Sequence, residues 1–228
     1  MPTYLIIGAS RGIGGTIADH LAAQGAEILS VSRSPSTVGT WIEADIGTAD
    51  GIGHVVQSVG ERCLDGLLFL GGIWEEGAFT DAYDFLESPA AEIRQVLAVN
   101  LTAPILLAQA LARNLAQSEN ARIVLMGSTS GLPNTASPEV ANTAAKFGLQ
   151  GAAEALNVSL RSHGIATTVI NPANVATAEV EDDIAEGRFG EQVPIPLNDM
   201  AKTIDYVLQV SAESVPSSIT LCQKWPAA

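Results

Sequence analysis

Cysteine and basic residues are scarce in this 228-residue chain, and each shortage excludes a class of protein. Cys63 and Cys222 are the only cysteines, which is too few for a disulfide framework or a cysteine-based metal site. Eleven lysines and arginines stand against 25 acids, so the formal net charge is -14 at pH 7. Because nucleic acids and anionic membranes are bound through basic surfaces, we predict that neither is a partner of this protein.

Long hydrophobic runs are also missing. No run reaches the roughly 18 apolar residues that a membrane-spanning helix needs. The apolar run YLIIG near the amino terminus is short for a secretory signal and follows no basic region. We therefore expect a soluble cytoplasmic protein, and the length predicts that residues 1–228 form a single domain.

Apolar and amphipathic segments alternate along the whole chain. The apolar runs predict strands near residues 3–8, 26–32, 40–44, 65–70, 121–127, 165–170 and 217–222. The amphipathic stretches predict helices near residues 12–24, 49–60, 89–117, 138–162 and 198–211. This order is typical of βαβ units, and it predicts a doubly wound α/β domain of Rossmann type, with helices on both faces of a parallel sheet.

One stretch, residues 177–196, has no strong period. It carries six acids between Glu179 and Glu191 and ends in two prolines. Stretches of this kind occur as lids over substrate clefts and also as solvated insertions. Both interpretations are open from the sequence.

A glycine-rich turn joins the first predicted strand to the first predicted helix. It reads GASRGIG, with glycines at positions 8, 12 and 14. Such glycines allow a tight turn, let backbone N–H groups approach a phosphate and let the helix pack closely on the strand. A pyrophosphate would then lie at the N-terminus of the helix. Glycines also cluster in ordinary turns, so the flanking strand and helix are what favour the phosphate interpretation.

The spacing G-x-x-x-G-x-G and four later residues resemble the short-chain dehydrogenase/reductase family over nearly the whole chain. Asp45 matches the acid that meets the adenine of the cofactor, and Asn100 matches the asparagine of the fourth long helix. Ser128 and Lys146 match the catalytic serine and the active-site lysine. Taken singly, Asp45 could instead cap a helix, Asn100 could be a buried polar residue and Ser128 a turn residue.

The resemblance implies a nicotinamide cofactor at the carboxyl ends of the strands. The implied cofactor-binding residues are Gly8, Ser10, Arg11, Gly12, Ile13, Gly14, Arg33, Asp45, Ile46, Gly71, Gly72, Lys146, Pro172 and Thr177.

NADP(H) is favoured over NAD(H) by the residues after the second strand. NAD-binding members of such folds place an acid there, where it accepts from the ribose 2'-hydroxyl. Here the segment reads SVSRSPS and has no acid. Arg33 in this segment and Arg11 in the glycine turn could together clamp a 2'-phosphate. The alternative is that both arginines are solvated loop residues.

The resemblance fails at the active-site motif, which in the family is Tyr-x-x-x-Lys. The matching residues here are Asn142 and Lys146, and no tyrosine lies between Tyr83 and Tyr206. Residues four apart on a helix share a face, so we expect Asn142 to line the same cleft as Lys146. The family's tyrosine donates a proton to the carbonyl oxygen, whereas an asparagine carboxamide has no proton to give near neutral pH.

Two further segments depart from the family. Residues 69–72 read FLGG where the family has Asn-Asn-Ala-Gly, and residues 172–174 read PAN where Pro-Gly is usual. Gly71 and Gly72 keep the close approach of the backbone to a cofactor. These changes are compatible with a cofactor site, but they alter residues near the place where the family's reaction occurs.

The resemblance therefore implies an NADP(H)-dependent short-chain oxidoreductase with an atypical active site, acting on a carbonyl or alcohol. Ser128 would bind the substrate oxygen and Asn142 would assist it, while Lys146 would hold the ribose and Asn100 would order a water. The alternative is a non-catalytic NADP(H)-binding protein, either a sensor or a silent partner of an active homologue.

Two long helices, 89–117 and 138–162, are rich in alanine and leucine, which favours a homodimer or homotetramer. Ala144, Ala152 and Ala155 would permit close approach of helices between subunits. The same alanines could instead pack against the sheet of their own subunit.

Overall fold

A computed structural model describes residues 1–190 and 192–224. Its sheet has seven parallel strands in the order β3-β2-β1-β4-β5-β6-β7. The strands are β1 Thr3–Ile7, β2 Glu27–Ser32, β3 Thr40–Glu43, β4 Gly66–Phe69, β5 Arg122–Met126, β6 Ala166–Pro172 and β7 Ser218–Leu221. The predicted fold class, a single doubly wound α/β domain, is confirmed, and each strand lies within about two residues of its predicted position.

Eight α-helices occur in the described residues. They are α1 Gly12–Ala23, α2 Ala49–Val59, α3 Ala90–Leu97, α4 Ala103–Ala110, α5 Ala112–Leu115, α6 Val140–Ser159, α7 Ala178–Ala185 and α8 Leu197–Gln209. Adjacent residues on the central strands face two separate cores. Leu5 packs in the core that α2, α4 and α6 cover, whereas Ile6 packs in the core that α1 and α8 cover. The helices therefore lie on both faces of the sheet, as predicted.

The helix predicted at 89–117 is interrupted, and Pro104 supplies a reason. A π-helical turn, Ala98–Thr102, separates α3 from α4. Proline has no N–H to give to the carbonyl four residues earlier, which belongs to Asn100, and its ring crowds that carbonyl. A wider turn at this point accommodates the proline and brings Asn100 into the interior, where it is 1% exposed.

By length and composition, Ala90–Ala110 would be long enough to cross a membrane, with a mean hydropathy of 1.2. Core helices of water-soluble proteins have the same property. Polar residues such as Glu92, Arg94 and Asn100 interrupt the apolar sequence of Ala90–Ala110, so the segment contains no long continuous apolar run. In this fold the segment packs against α2 and α6.

The stretch at 177–196 contains a helix that its weak period did not predict. The hydroxyl of Thr177 accepts the N–H of Val180 at the N-terminus of α7, and two acids lie in the first turn. Both features stabilise a helix start. The backbone of Ile195 pairs with Asn174 and Ala176, so the end of the stretch is held beside the chain that precedes its start.

Candidate functional site

A cavity of about 1200 Å³ opens at the carboxyl ends of β1, β4 and β5. The chain order reverses between β1 and β4, which is where open α/β sheets bind their ligands. Every residue predicted to bind the cofactor lines this cavity. The stretch at 177–196 contributes Glu179, Val180, Asp183 and Phe189 to the wall, so it covers one side of the cavity.

Glycine is required at two positions of this turn, because a larger residue would clash with the backbone whether or not a phosphate binds. Gly8 has φ +87°, and a Cβ on it would lie 2.4 Å from the Cα of Gly71. A Cβ on Gly14 would lie 2.1 Å from the carbonyl oxygen of Gly8. The N-cap residue of α1, Arg11, makes no side-chain cap, so the first N–H groups of this helix remain available at the cavity wall. This arrangement fits the pyrophosphate of a dinucleotide.

The two arginines predicted to select NADP(H) both reach the cavity. Arg33 is exposed and forms no ion pair among residues 1–190 and 192–224. Arg11 contacts Glu179 of α7, with Nη1 2.9 Å from the carboxylate oxygen, although both side chains are mostly exposed. An exposed ion pair of this kind is weak, so a phosphate could replace the carboxylate as the partner of Arg11.

Asp45 lines the cavity and does not cap α2. Its Oδ1 accepts the N–H of Gly47 at 2.9 Å, and the cap of α2 is Thr48, whose hydroxyl accepts the N–H of Gly51 at 3.0 Å. The helix-cap interpretation of Asp45 is therefore wrong. A role at the cofactor stays a prediction.

Ser128 and Lys146 line the same cavity. The hydroxyl of Ser128 accepts the N–H and the hydroxyl of Ser130, at 3.1 and 2.9 Å, and its own hydrogen stays available for a ligand. The Nζ of Lys146 donates to the carbonyl of Met126 at 2.8 Å. Burial lowers the pKa of this amine from 10.5 to about 8.

Asn142 does not face the cavity, so that expectation is wrong. The residue is fully buried and is not part of the cavity wall. Its Oδ1 accepts from Nδ2 of Asn100 at 3.2 Å, and its backbone N–H donates to Glu75 at 3.1 Å. Helical spacing placed Asn142 on the side of Lys146, but its shorter side chain ends behind the wall that Lys146 reaches.

Asn100 also lies behind the wall rather than in it. Its carboxamide bonds to both backbone groups of Ile73, accepting the N–H at 2.9 Å and donating to the carbonyl at 2.7 Å. The buried-polar interpretation of Asn100 is confirmed by these contacts. A Cβ on Gly72 would lie 3.3 Å from the Oδ1 of Asn100 and 3.9 Å from the Nζ of Lys146, so these groups are neighbours.

Comparisons with known proteins agree with this fold. A family model described as short chain dehydrogenase matches residues 2–187. The chain belongs to this family. A short chain dehydrogenase of Penicillium roqueforti, adrF, is 30% identical over 189 residues, which span 78% of this chain and 71% of that protein. The cyclic-di-GMP-binding biofilm dispersal mediator protein of Escherichia coli is 30% identical over 184 residues, which span 77% of this chain and 73% of that protein.

Among solved structures, BdcA in complex with NADPH matches this chain with a TM-score of 0.83. The two chains are 23% identical, and the match covers 99% of this chain and 95% of that one. A metagenomic short-chain oxidoreductase in complex with NADP has a TM-score of 0.78 at 23% identity, and the match covers 99% and 98% of the two chains. At 23% identity, these matches show that the chains share a fold and nothing further.

The cavity of this chain has lining residues that the sequence pattern did not indicate. They come from the segment after β4 and include a buried acid, Glu75, and two aromatic residues, Trp74 and Phe79. The ring of Phe79 contacts both Trp74 and Phe189, with centroids 4.6 and 5.5 Å apart. The acid pair Glu75 and Glu76 in the loop after β4 was the available signal. Exposed acids are common in loops, and only burial distinguishes Glu75.

Proposed function

We propose that the protein is an NADP(H)-dependent oxidoreductase that interconverts a carbonyl and an alcohol. The observation that carries the proposal is that Ser128, Lys146 and the glycine turn line one cavity. NADPH supplies the hydride when it is bound. The test is oxidation of NADPH against a panel of ketones and aldehydes. We expect turnover of some members and no turnover in a Ser128→Ala variant that still binds NADPH.

Ser128 would hold the substrate oxygen. Because its hydroxyl already accepts two hydrogen bonds, its hydrogen is directed to an outside acceptor. A hydrogen bond of this kind strengthens as negative charge develops on a carbonyl oxygen, which lowers the barrier to hydride addition.

Lys146 would supply the proton that a tyrosine supplies elsewhere in the family. Its ammonium gives one N–H to Met126 and has two more N–H groups at the cavity wall. In reduction the carbonyl π electrons move to oxygen, an N–H bond of Lys146 breaks, and an O–H bond forms. The neutral amine then takes a proton from solvent. A pKa of about 8 suits this exchange, because an acid works best near ambient pH.

A preference for NADPH over NADH is the first expected result. Charge-assisted hydrogen bonds from Arg33 to a 2'-phosphate would make NADPH bind about 10- to 100-fold more tightly than NADH. The Arg33→Ser variant should lose most of this preference by weakening NADPH binding alone. Calorimetric titration of both cofactors measures it, with Arg94→Ser, an exposed arginine outside the cavity wall, as the control. Equal affinities in the wild type would refute the assignment.

A second candidate function is a non-catalytic NADP(H)-binding protein. It is favoured by one observation: none of the three tyrosines, Tyr4, Tyr83 and Tyr206, lines the cavity. Tight NADPH binding without turnover of any carbonyl in the panel would support this candidate.

We also propose that the chain forms a homodimer through α4 and α6. Ile105, Phe147 and Val158 are exposed on these helices at 39, 38 and 72%. Ala144 and Ala155 are exposed as well, so these two do not pack against the sheet of their own subunit. A stripe of small and apolar residues on two neighbouring helices suits close packing against a second copy.

Light scattering at micromolar concentration should give twice the chain mass of 23.6 kDa. Ala155→Arg should reduce it to the monomer mass, because the interface would then bury an unpaired charge. Ala185→Arg on α7 is the control and should stay dimeric. A monomer mass for the wild type would contradict the proposal.

A further inference from the structure

A buried carboxylate lies in the cavity wall. Glu75 is 3% exposed, and its Oε1 accepts the N–H of Ala141 at 2.7 Å and that of Asn142 at 3.1 Å. These are residues of the first turn of α6, whose own N-cap residue makes no side-chain cap. Two backbone donors and the positive end of a long helix stabilise a negative charge on Glu75.

The second oxygen of this carboxylate is left without a partner. Oε2 is buried and accepts no hydrogen bond from the described residues. In the same part of the chain no ion pair joins Glu75 to a lysine, arginine or histidine. The neighbouring Nδ2 of Asn142 is also buried and unpartnered there, but a neutral amide does not neutralise a carboxylate. Buried charges in proteins are normally paired, so a ligand cation would complete this site.

The other carboxylates of the cavity wall do not offer the same site. Glu179 contacts Arg11, and Asp183 contacts Arg188. Asp45 is exposed to solvent, which screens its charge. Glu75 is therefore the buried acid of this wall that is available to a cation.

Aromatic rings line the wall next to Glu75. Trp74 precedes it in the chain, and Trp74, Phe79 and Phe189 form a continuous set of edge-to-face contacts along the cavity. Aromatic faces attract cations and also bury the apolar part of an amine. The wall thus combines a negative charge with surfaces that suit an organic ammonium ion.

We propose that Glu75 determines specificity for a substrate that carries a protonated amine. The ammonium group donates to Oε2 of Glu75, while the carbonyl or alcohol carbon lies at Ser128 and Lys146. The substrate class is accordingly amino ketones and amino alcohols. The placement of the carbonyl or alcohol carbon rests on the proposed oxidoreductase function. The placement of the ammonium group rests on Glu75 and the aromatic residues.

Binding of 2-phenylethylammonium, compared with its neutral analogue 2-phenylethanol, tests the inference. Calorimetry with and without saturating NADPH should show about 10-fold tighter binding of the ammonium to the wild type. Glu75→Gln should remove this preference and leave the affinity for 2-phenylethanol unchanged. Glutamine keeps a carbonyl oxygen for the N–H groups of α6, so the variant should fold. Glu76→Gln changes the exposed neighbouring acid and should behave as the wild type.

Equal affinities of the two probes for the wild type would overturn the inference, whether or not the variant folds. A Glu75→Gln protein that retains the ammonium preference would do the same. Failure of the proposed function gives a different pattern. If the wild type prefers the ammonium but binds no NADPH, the Glu75 site stands and the oxidoreductase assignment falls. If it binds NADPH and reduces ketones without preferring the ammonium, only the Glu75 inference falls.

Discussion

Replacing Lys146 by methionine should lower carbonyl reduction by about 10²- to 10⁴-fold, which is the contribution of a positioned general acid. In the wild type, reduction should fall as pH rises through about 8, because the ammonium form of Lys146 is then lost. Oxidation of the alcohol should show the opposite trend, since the neutral amine accepts the proton. Initial rates between pH 6 and pH 10 measure both, and the residual activity of Lys146→Met should lack this dependence.

Lys146 should also make the unfolding free energy depend on pH, with the opposite sign from a lysine that forms an ion pair. Burial lowers the pKa of Lys146 from 10.5 to about 8, so the folded protein binds this proton more weakly than the unfolded chain does. Below pH 8 the cost of burying the charge is fully present, and it disappears as pH rises to 10.5. Unfolding free energy of the apo wild type relative to Lys146→Met should therefore rise by roughly 1–3 kcal/mol across this window.

Lys202→Met is the matched control, because Lys202 is an exposed lysine paired with Asp199. Its rates and its stability should follow the wild type at each pH. If Lys146→Met kept the wild-type dependence on pH, Lys146 would not be the proton source, and water or the substrate would have to take that role.

Replacing Arg122 by methionine should cost about 1–3 kcal/mol of unfolding free energy, which is the contribution of hydrogen bonds made by a charged donor. Arg122 lies on β5 and is 1% exposed. Its guanidinium donates to the carbonyls of Val210, Ser211 and Ser214 after α8, and to the Oδ1 of Asn120. Methionine fills similar space, but the carbonyl of Ser214 then loses its donor, whereas that of Val210 keeps the Nδ2 of Asn120 and that of Ser211 keeps the N–H of Ser214.

Urea unfolding followed by circular dichroism measures this loss. Arg113→Met removes an exposed arginine and should change the unfolding free energy by less than about 0.5 kcal/mol. NADPH affinity of Arg122→Met should stay close to that of the wild type at low temperature, because Arg122 does not line the cavity. A stability loss under about 1 kcal/mol would show that the carbonyls find water instead.

The sequence by itself determined the order of the elements and the position of the glycine turn. The central strands, such as Gly66–Phe69, are buried on both faces, so their apolar runs are unmistakable. Gly8 and Gly14 are required by contacts within one turn, and local requirements of this kind are visible in a short segment of sequence. The residues that the family resemblance implied for cofactor binding all line one cavity.

The sequence pattern did not predict the break in the long helix, and it did not predict α7. Both features depend on short-range interactions that do not change the spacing of hydrophobic residues. Pro104 signalled the first, but its effect depends on the π-helical turn before it. The start of α7 is stabilised by Thr177 and two acids rather than by an apolar stripe. Capping and backbone geometry act over one turn, whereas the period of hydrophobic residues needs several turns to be recognised.

Only the tertiary structure decided which polar groups face the cavity. Asn142 and Lys146 share a helix face, yet the short side chain ends in contact with Asn100 while the long one reaches the wall. Glu75 looks like an ordinary loop acid in the sequence, and it becomes a buried charge because the segment after β4 folds onto the first turn of α6. Helical spacing defines a direction, but burial and charge compensation depend on residues far away in the chain, so the sequence pattern could not predict them.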